Sequence, residues 1–206
     1  MPVFFKDDKK VLFIHVPKVG GTTMERMFRA SGWQMRFHAT STTEPNVRPL
    51  RRCTPQHYHG ALLREVFNLQ RIDLTFMLVR EPLARFRSEY VMRNADNPRV
   101  DAASVEAWAD RVLKVYEVNP YVRDNHIRPQ HEFAVEGTVV HRLEDGLDVA
   151  ADDIARRLGT PLRRDVERGQ VSHDKAGVPS SAVEISPALE ERLREFYAED
   201  FRTFGY

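Results

Sequence analysis

The run His15-Val-Pro17-Lys18-Val-Gly20-Gly21-Thr22-Thr23 combines a lysine, two glycines and two hydroxyls. Between a buried strand and a helix N-terminus, such a run binds phosphate. Main-chain N–H groups and the positive end of the helix dipole converge on one point, the glycines admit the anion, and Lys18 adds a full charge. Arg80 and Ser88, eight residues apart, offer a second grip, a planar guanidinium fork and a hydroxyl. His57, His59 and His126 titrate near neutrality and suit removal of a proton from an attacking hydroxyl. Asn125-His126-Ile-Arg128-Pro-Gln130 gathers side-chain donors around a proline, as in a rigid loop that reads a polar ligand.

These groups act together only if the chain brings them together. Val11 to Val16, ended by Pro17, reads as a buried strand; Val19-Gly-Gly21 is a turn, and Thr22 to Ala30 has helical spacing. Residues 33–56 show no sustained period and read as a loop. Gly60 to Asn68 predicts a helix, Leu74 to Val79 a second buried strand, and Pro82 opens a helix running to about Arg93. Arg85 and Arg87 on that helix are expected on a solvated face. Ser104 to Val118 predicts an amphipathic helix, Thr138 to Leu143 a third strand, and Val149 to Leu158 a helix. Residues 169–183 read as a loop that could close over a nucleotide, with Lys175 near a phosphate. Pro187 to Arg202 predicts a final helix capped by Ser186. Strands alternating with helices point to an α/β fold with a central parallel sheet flanked by helices.

The 206 residues carry a formal charge of only +1, but residues 1–99 hold 17 basic and 9 acidic side chains and residues 100–206 hold 14 and 21. Both phosphate-gripping segments lie in the basic half, whose excess can serve as counter-charge for a multiply anionic ligand. With 42% hydrophobic and 30% charged residues the composition is that of an ordinary globular domain. No apolar run approaches the roughly 20 residues of a membrane span. Lys6, Asp7, Asp8, Lys9 and Lys10 stand where a signal peptide would be apolar. The single cysteine, Cys53, fits a reducing compartment, so a cytoplasmic location is expected. A pI of about 8.0 and the lack of a recognised binding motif argue against nucleic acid. Cys53, His57 and His59 are spaced like part of a metal cluster, but no fourth ligand is evident and no metal is expected.

A Walker A loop places lysine after the second glycine, whereas Lys18 precedes both glycines. Nor does any apolar strand end in an aspartate to hold Mg²⁺. An ATP-dependent P-loop kinase is therefore the lesser alternative, as is a non-catalytic module binding a polyanion.

The segment Pro17-Lys18-Val-Gly20-Gly21-Thr22-Thr23 resembles the 5′-phosphosulfate loop of sulfotransferases that use 3′-phosphoadenosine 5′-phosphosulfate (PAPS). The likeness is to their carbohydrate branch, which includes heparan sulfate 2-O-sulfotransferase, and to small bacterial-type relatives. Arg80 followed by Ser88 is similar to that family's grip on the 3′-phosphate. Tyr58-His59-Gly60 resembles the Tyr-His-Gly-His stretch of the uronyl 2-O enzymes, which implies His59 as the base; Ala61 stands where their second histidine does, so His57 competes with it and His126 is a third candidate. The Asn125 to Gln130 segment is similar to one near the nucleotide and acceptor cleft of small family members, which makes Asn125, His126, Arg128 and Gln130 candidate acceptor contacts. The resemblance implies a single P-loop-like, sulfotransferase-like domain over residues 1–206. It also implies PAPS as donor, PAP (its desulfated product) as leaving group, no metal, and a hydroxyl-bearing small molecule or glycan as acceptor.

Overall fold

The computed structural model describes residues 1–38, 46–47, 50–167, 169 and 176–206. Five strands form one sheet in the order β3-β1-β2-β4-β5, with β1 Val3–Lys6, β2 Lys9–Ile14, β3 Gln34–Arg36, β4 Leu74–Val79 and β5 Val139–Arg142. The centre is parallel: β2 pairs with β4, placing Phe13 opposite Phe76 and Ile14 opposite Met77, and β4 pairs with β5. The other edge is antiparallel, β1 pairing with both β2 and β3.

That edge corrects two expectations. The charged stretch Lys6 to Lys10 is a hairpin, with Asp7 at φ 54° in its two-residue turn, and so short a connection permits only antiparallel pairing. The strand expected over Val11 to Val16 is thus the second, β2, and it runs from Lys9 to Ile14, ending two residues before Val16. The second correction is β3, which lies within residues 33–56.

Among the described residues seven α-helices surround the sheet. They are α1 Gly21–Ala30, α2 Gly60–Val66, α3 Pro82–Arg93, α4 Ala102–Val118, α5 Leu147–Leu158, α6 Pro187–Phe196 and α7 Ala198–Phe204. The expected final helix is thus two. Tyr197 interrupts it because its buried ring is anchored elsewhere, its hydroxyl donating to the Ile127 carbonyl at 3.0 Å.

Two apolar clusters carry the packing. One lies against the sheet, where Phe4, Phe13, Phe28 and Phe76 are fully buried and stack at centroid distances of 4.3 to 5.7 Å. The other joins α3, α4 and α6 through Phe86, Tyr90, Trp108, Leu189 and Leu193. Burial of such aromatic and aliphatic groups is the main favourable term in folding. Its consequence for the site is rigidity: the C-terminal ends of β2 and β4, where ligands bind in α/β sheets, sit side by side on a packed base.

Candidate active site

The chain leaving β2 turns sharply into α1. Lys18 has φ 70° and Gly20 φ 82°, and Gly20 forms the left-handed N-cap of the helix. No side chain caps α1 and its first turn holds no acidic residue, so the positive end of the helix is left uncompensated by its own first turn. On the neighbouring strand the opposite holds. The Glu81 carboxylate accepts from Leu83 N at 3.1 Å and Ala84 N at 2.6 Å, closing the N-terminus of α3.

Gly21 is required by space rather than by backbone conformation. A Cβ built there would stand 2.4 Å from His15 Nε2 and 2.7 Å from His15 Cδ2. The imidazole of His15 therefore lies directly beneath the turn. Above it, Thr23 Oγ1 accepts from Gly169 N at 2.8 Å, so the late segment touches the turn at its one described residue between 168 and 175. Lys175 lies outside the described residues.

Both segments expected to bind an anion meet here. Arg80 follows β4, and its Nη1 donates to the Lys18 carbonyl at 3.5 Å. Lys18 Nζ reaches α3, 3.3 Å from Met92 Sδ. Burial lowers the Lys18 pKa, with Glu89 opposing that and Arg80 adding to it. Ser88 is buried on α3 at 7% exposure.

Next to this lies a row of histidines, each backed by a carboxylate. His15 Nδ1 is 2.6 Å from Glu25 Oε1, His57 Nδ1 2.9 Å from Asp124 Oδ2, and His126 Nδ1 2.6 Å from Glu89 Oε2. The rings meet edge to face, with centroids 5.6 Å apart for His15 and His57 and 4.8 Å for His57 and His126. Burial pushes His57 down to about 3 against the pull of Asp124, so it is a neutral imidazole at physiological pH. Burial alone would raise Glu89, but His126 and Arg93 hold it at about 2. Asp124 is fixed in turn by Thr54, whose N and Oγ1 donate to it at 2.5 and 2.8 Å.

His59 stands apart from the row. Its ring faces Tyr121 at 5.7 Å, its Nδ1 is buried without a hydrogen-bond partner, and burial together with Arg128 and Arg64 lowers it to about 4. Cys53 likewise stands outside the cluster; its thiol is buried and pushed up to about 11.

The Asn125 to Gln130 segment faces inward. Asn125, Arg128 and Gln130 are 0%, 5% and 0% exposed, and their side chains bind the protein itself. Asn125 Nδ2 donates to the His57 carbonyl at 2.8 Å, and Arg128 Nε to Asn125 Oδ1 at 3.1 Å. Gln130 clamps the strand end, accepting from Arg80 N at 2.9 Å and donating to Arg80 O at 2.7 Å. Only His126 of the four is presented to the histidine row.

Arg85, expected on a solvated face, is 2% exposed: it donates to the carbonyls of His126 and Arg128 at 2.9 and 2.8 Å, with Tyr197 beneath its guanidinium. Arg87 is half-buried, donating to the Val183 carbonyl at 3.2 Å.

Sequence reasoning missed the roles of His15, Glu25, Glu89 and Asp124. Glu89 carried one local signal, its placement four residues before Arg93 on a helix. His57 and Asp124 are 67 residues apart, and no spacing rule joins them.

No described helix is long and apolar enough to cross a membrane. Neither the curated proteins nor the solved structures provide a match. A family model described as "Sulfotransferase family" matches residues 1–206, the entire chain, and agrees with a P-loop-like α/β fold whose glycine turn follows the first parallel strand. The chain belongs to the sulfotransferase family, a family of transferases.

Proposed function

We propose that the protein transfers the sulfuryl group of PAPS in line to a carbohydrate hydroxyl, with His57 as the base. One observation carries this reading: the Lys18 turn and Arg80 lie in contact at the ends of adjacent parallel strands, beside an imidazole row. Lys18 and the amides of Gly20 to Thr23 take the charge that develops on the departing phosphate. Arg80 and Ser88 hold the 3′-phosphate and so set the donor's register. Preorganised donors of this kind are usually the largest catalytic contribution, worth ~10²-fold or more each.

His57 is preferred to His59 because a carboxylate orients it, whereas the His59 Nδ1 has no hydrogen-bond partner. Asp124 engages Nδ1, which leaves Nε2 to accept the acceptor proton. In the reaction the bond between sulfur and the bridging phosphate oxygen of PAPS breaks and one between sulfur and the acceptor oxygen forms. The acceptor proton passes to His57, and PAP leaves with the negative charge. Proton removal of this kind contributes ~10²- to 10⁴-fold. Asn125, Arg128 and Gln130 position Arg80 and the histidines.

Calorimetric titration with PAP tests the donor site. Lys18→Ala and Arg80→Ala should each weaken binding ~10- to 100-fold, the range for a lost charge-assisted hydrogen bond. Unchanged affinity in both would overturn the assignment, and ATP displacing PAP as well as PAP itself would favour the kinase. A screen of carbohydrate hydroxyls with radiolabelled PAPS, using Arg80→Ala as the blank, reads transfer. Near-normal turnover in His57→Ala removes that residue as base.

A further inference from the structure

His57, Asp124 and His126 each offer one ligand atom, and the three atoms lie within 4.8 Å of one another. We propose that they form a site for a single zinc-class divalent ion, which switches transfer off by occupying the imidazole that would serve as base. The inhibitory half rests on the function proposed above; the binding half does not.

Two imidazoles and a carboxylate are a borderline nitrogen and oxygen set that suits Zn²⁺, and three protein ligands leave its fourth position open. The surroundings resemble the outer shell of a metal site rather than a chance meeting of side chains. Glu89, 2.6 Å from His126 Nδ1, fixes that ring and leaves its other nitrogen for a ligand, the carboxylate–histidine arrangement typical of metal ligands. Arg93 holds Glu89 at 2.6 Å, and Thr54 pins both oxygens of Asp124. His57 is 8% exposed, so water competes weakly for the ion.

Ligand atoms on a tetrahedron with bonds of ~2.0–2.1 Å stand about 3.4 Å apart. Closing the present cluster takes about an ångström of side-chain motion, with the His57–Asp124 hydrogen bond giving way to two coordinate bonds. His59 and Cys53 take no part.

Titration of the metal-free chain with ZnCl₂ tests the site. The expected result is one equivalent bound with a Kd of roughly micromolar or tighter. Asp124→Asn and His126→Ala should each weaken binding at least ~10-fold, and Glu89→Gln, one step removed, by ~10- to 100-fold. His141→Ala should change nothing. Absence of the one-equivalent event, or undiminished binding in both Asp124→Asn and His126→Ala, overturns the site.

Co²⁺ bound to the unmodified chain gives a readout that requires no variant. Paramagnetically shifted resonances from two imidazoles support the site, and resonances from one or none refute it. One equivalent of Zn²⁺ should abolish transfer and a chelator restore it; a zinc-loaded chain with full turnover refutes the switch alone. PAP titration of the metal-free chain depends on Lys18 and Arg80, so the two proposals fail separately.

Discussion

Gly21→Ala is the most direct probe of how the turn proposed to hold phosphate is itself held. The added methyl would stand 2.4 Å from His15 Nε2, 2.7 Å from Cδ2 and 2.9 Å from Cε1. An ordinary carbon contact needs about 3.5 Å, so something must move by about an ångström. His15 is not a flexible end. Glu25 holds its Nδ1 at 2.6 Å, and its ring stacks on Phe13 at 5.2 Å and meets His57 at 5.6 Å. Overpacking a rigid site costs ~1–3 kcal/mol, which in a chain of this length lowers Tm by roughly 2–12 °C. If the turn yields instead of the ring, an ångström of misplacement costs ~10²-fold in rate. Thermal unfolding and PAP titration are the assays, repeated in Gly21→Ala/His15→Ala. Removing the ring should restore much of the loss, giving a coupling of ~0.5–3 kcal/mol. A Gly21→Ala protein with wild-type Tm and PAP affinity, or a double mutant showing simple additivity, would refute the reasoning.

Gln130→Ala strips both main-chain partners from Arg80 at a fully buried position; unpaired buried groups cost ~1–3 kcal/mol, so Tm should fall by several degrees and PAP affinity should drop with it. Equal PAP affinity in the variant would separate Gln130 from the site. Asp200 accepts from Gln130 N, His131 N and His131 Nδ1, each at 2.8 Å, and its hydrogen bond raises the His131 pKa. A raised histidine pKa stabilises the fold fully below about 6.5 and progressively less as pH rises through the folded value. The stability gap between wild type and Asp200→Asn, measured by urea unfolding, should therefore be wider at about pH 5.5 than at about pH 8.5, leaving at high pH the contribution of the two main-chain bonds. A gap independent of pH would exclude His131 as its source.

Local signals were good guides where the physics is local. Leu74 to Val79 has the predicted bounds because it is a run of apolar and β-branched residues between polar stops, and Pro82 opens α3 because its fixed φ and missing N–H suit a first turn. β1 and β3 escaped because strands of four and three residues are too short for a period to show, and their pairing with each other and with β2 supplies what periodicity does not. Arg85 looked like a surface cation because its type predicts exposure, yet carbonyls 41 and 43 residues away hold it inside.

The sequence by itself determined the chemistry available: a lysine and two glycines poised to follow a buried strand, an arginine at the end of another, and histidines in the intervening and following loops. Tertiary structure decided which of them meet. Pairing of β2 with β4 set Arg80 against the Lys18 carbonyl, and packing of the 120s segment gave His57 its aspartate, His126 its glutamate, and left His59 outside the row. Residue type and helical or strand period act over a few positions. Hydrogen bonds between side chains 37 to 67 residues apart follow only from how sheet and helices pack.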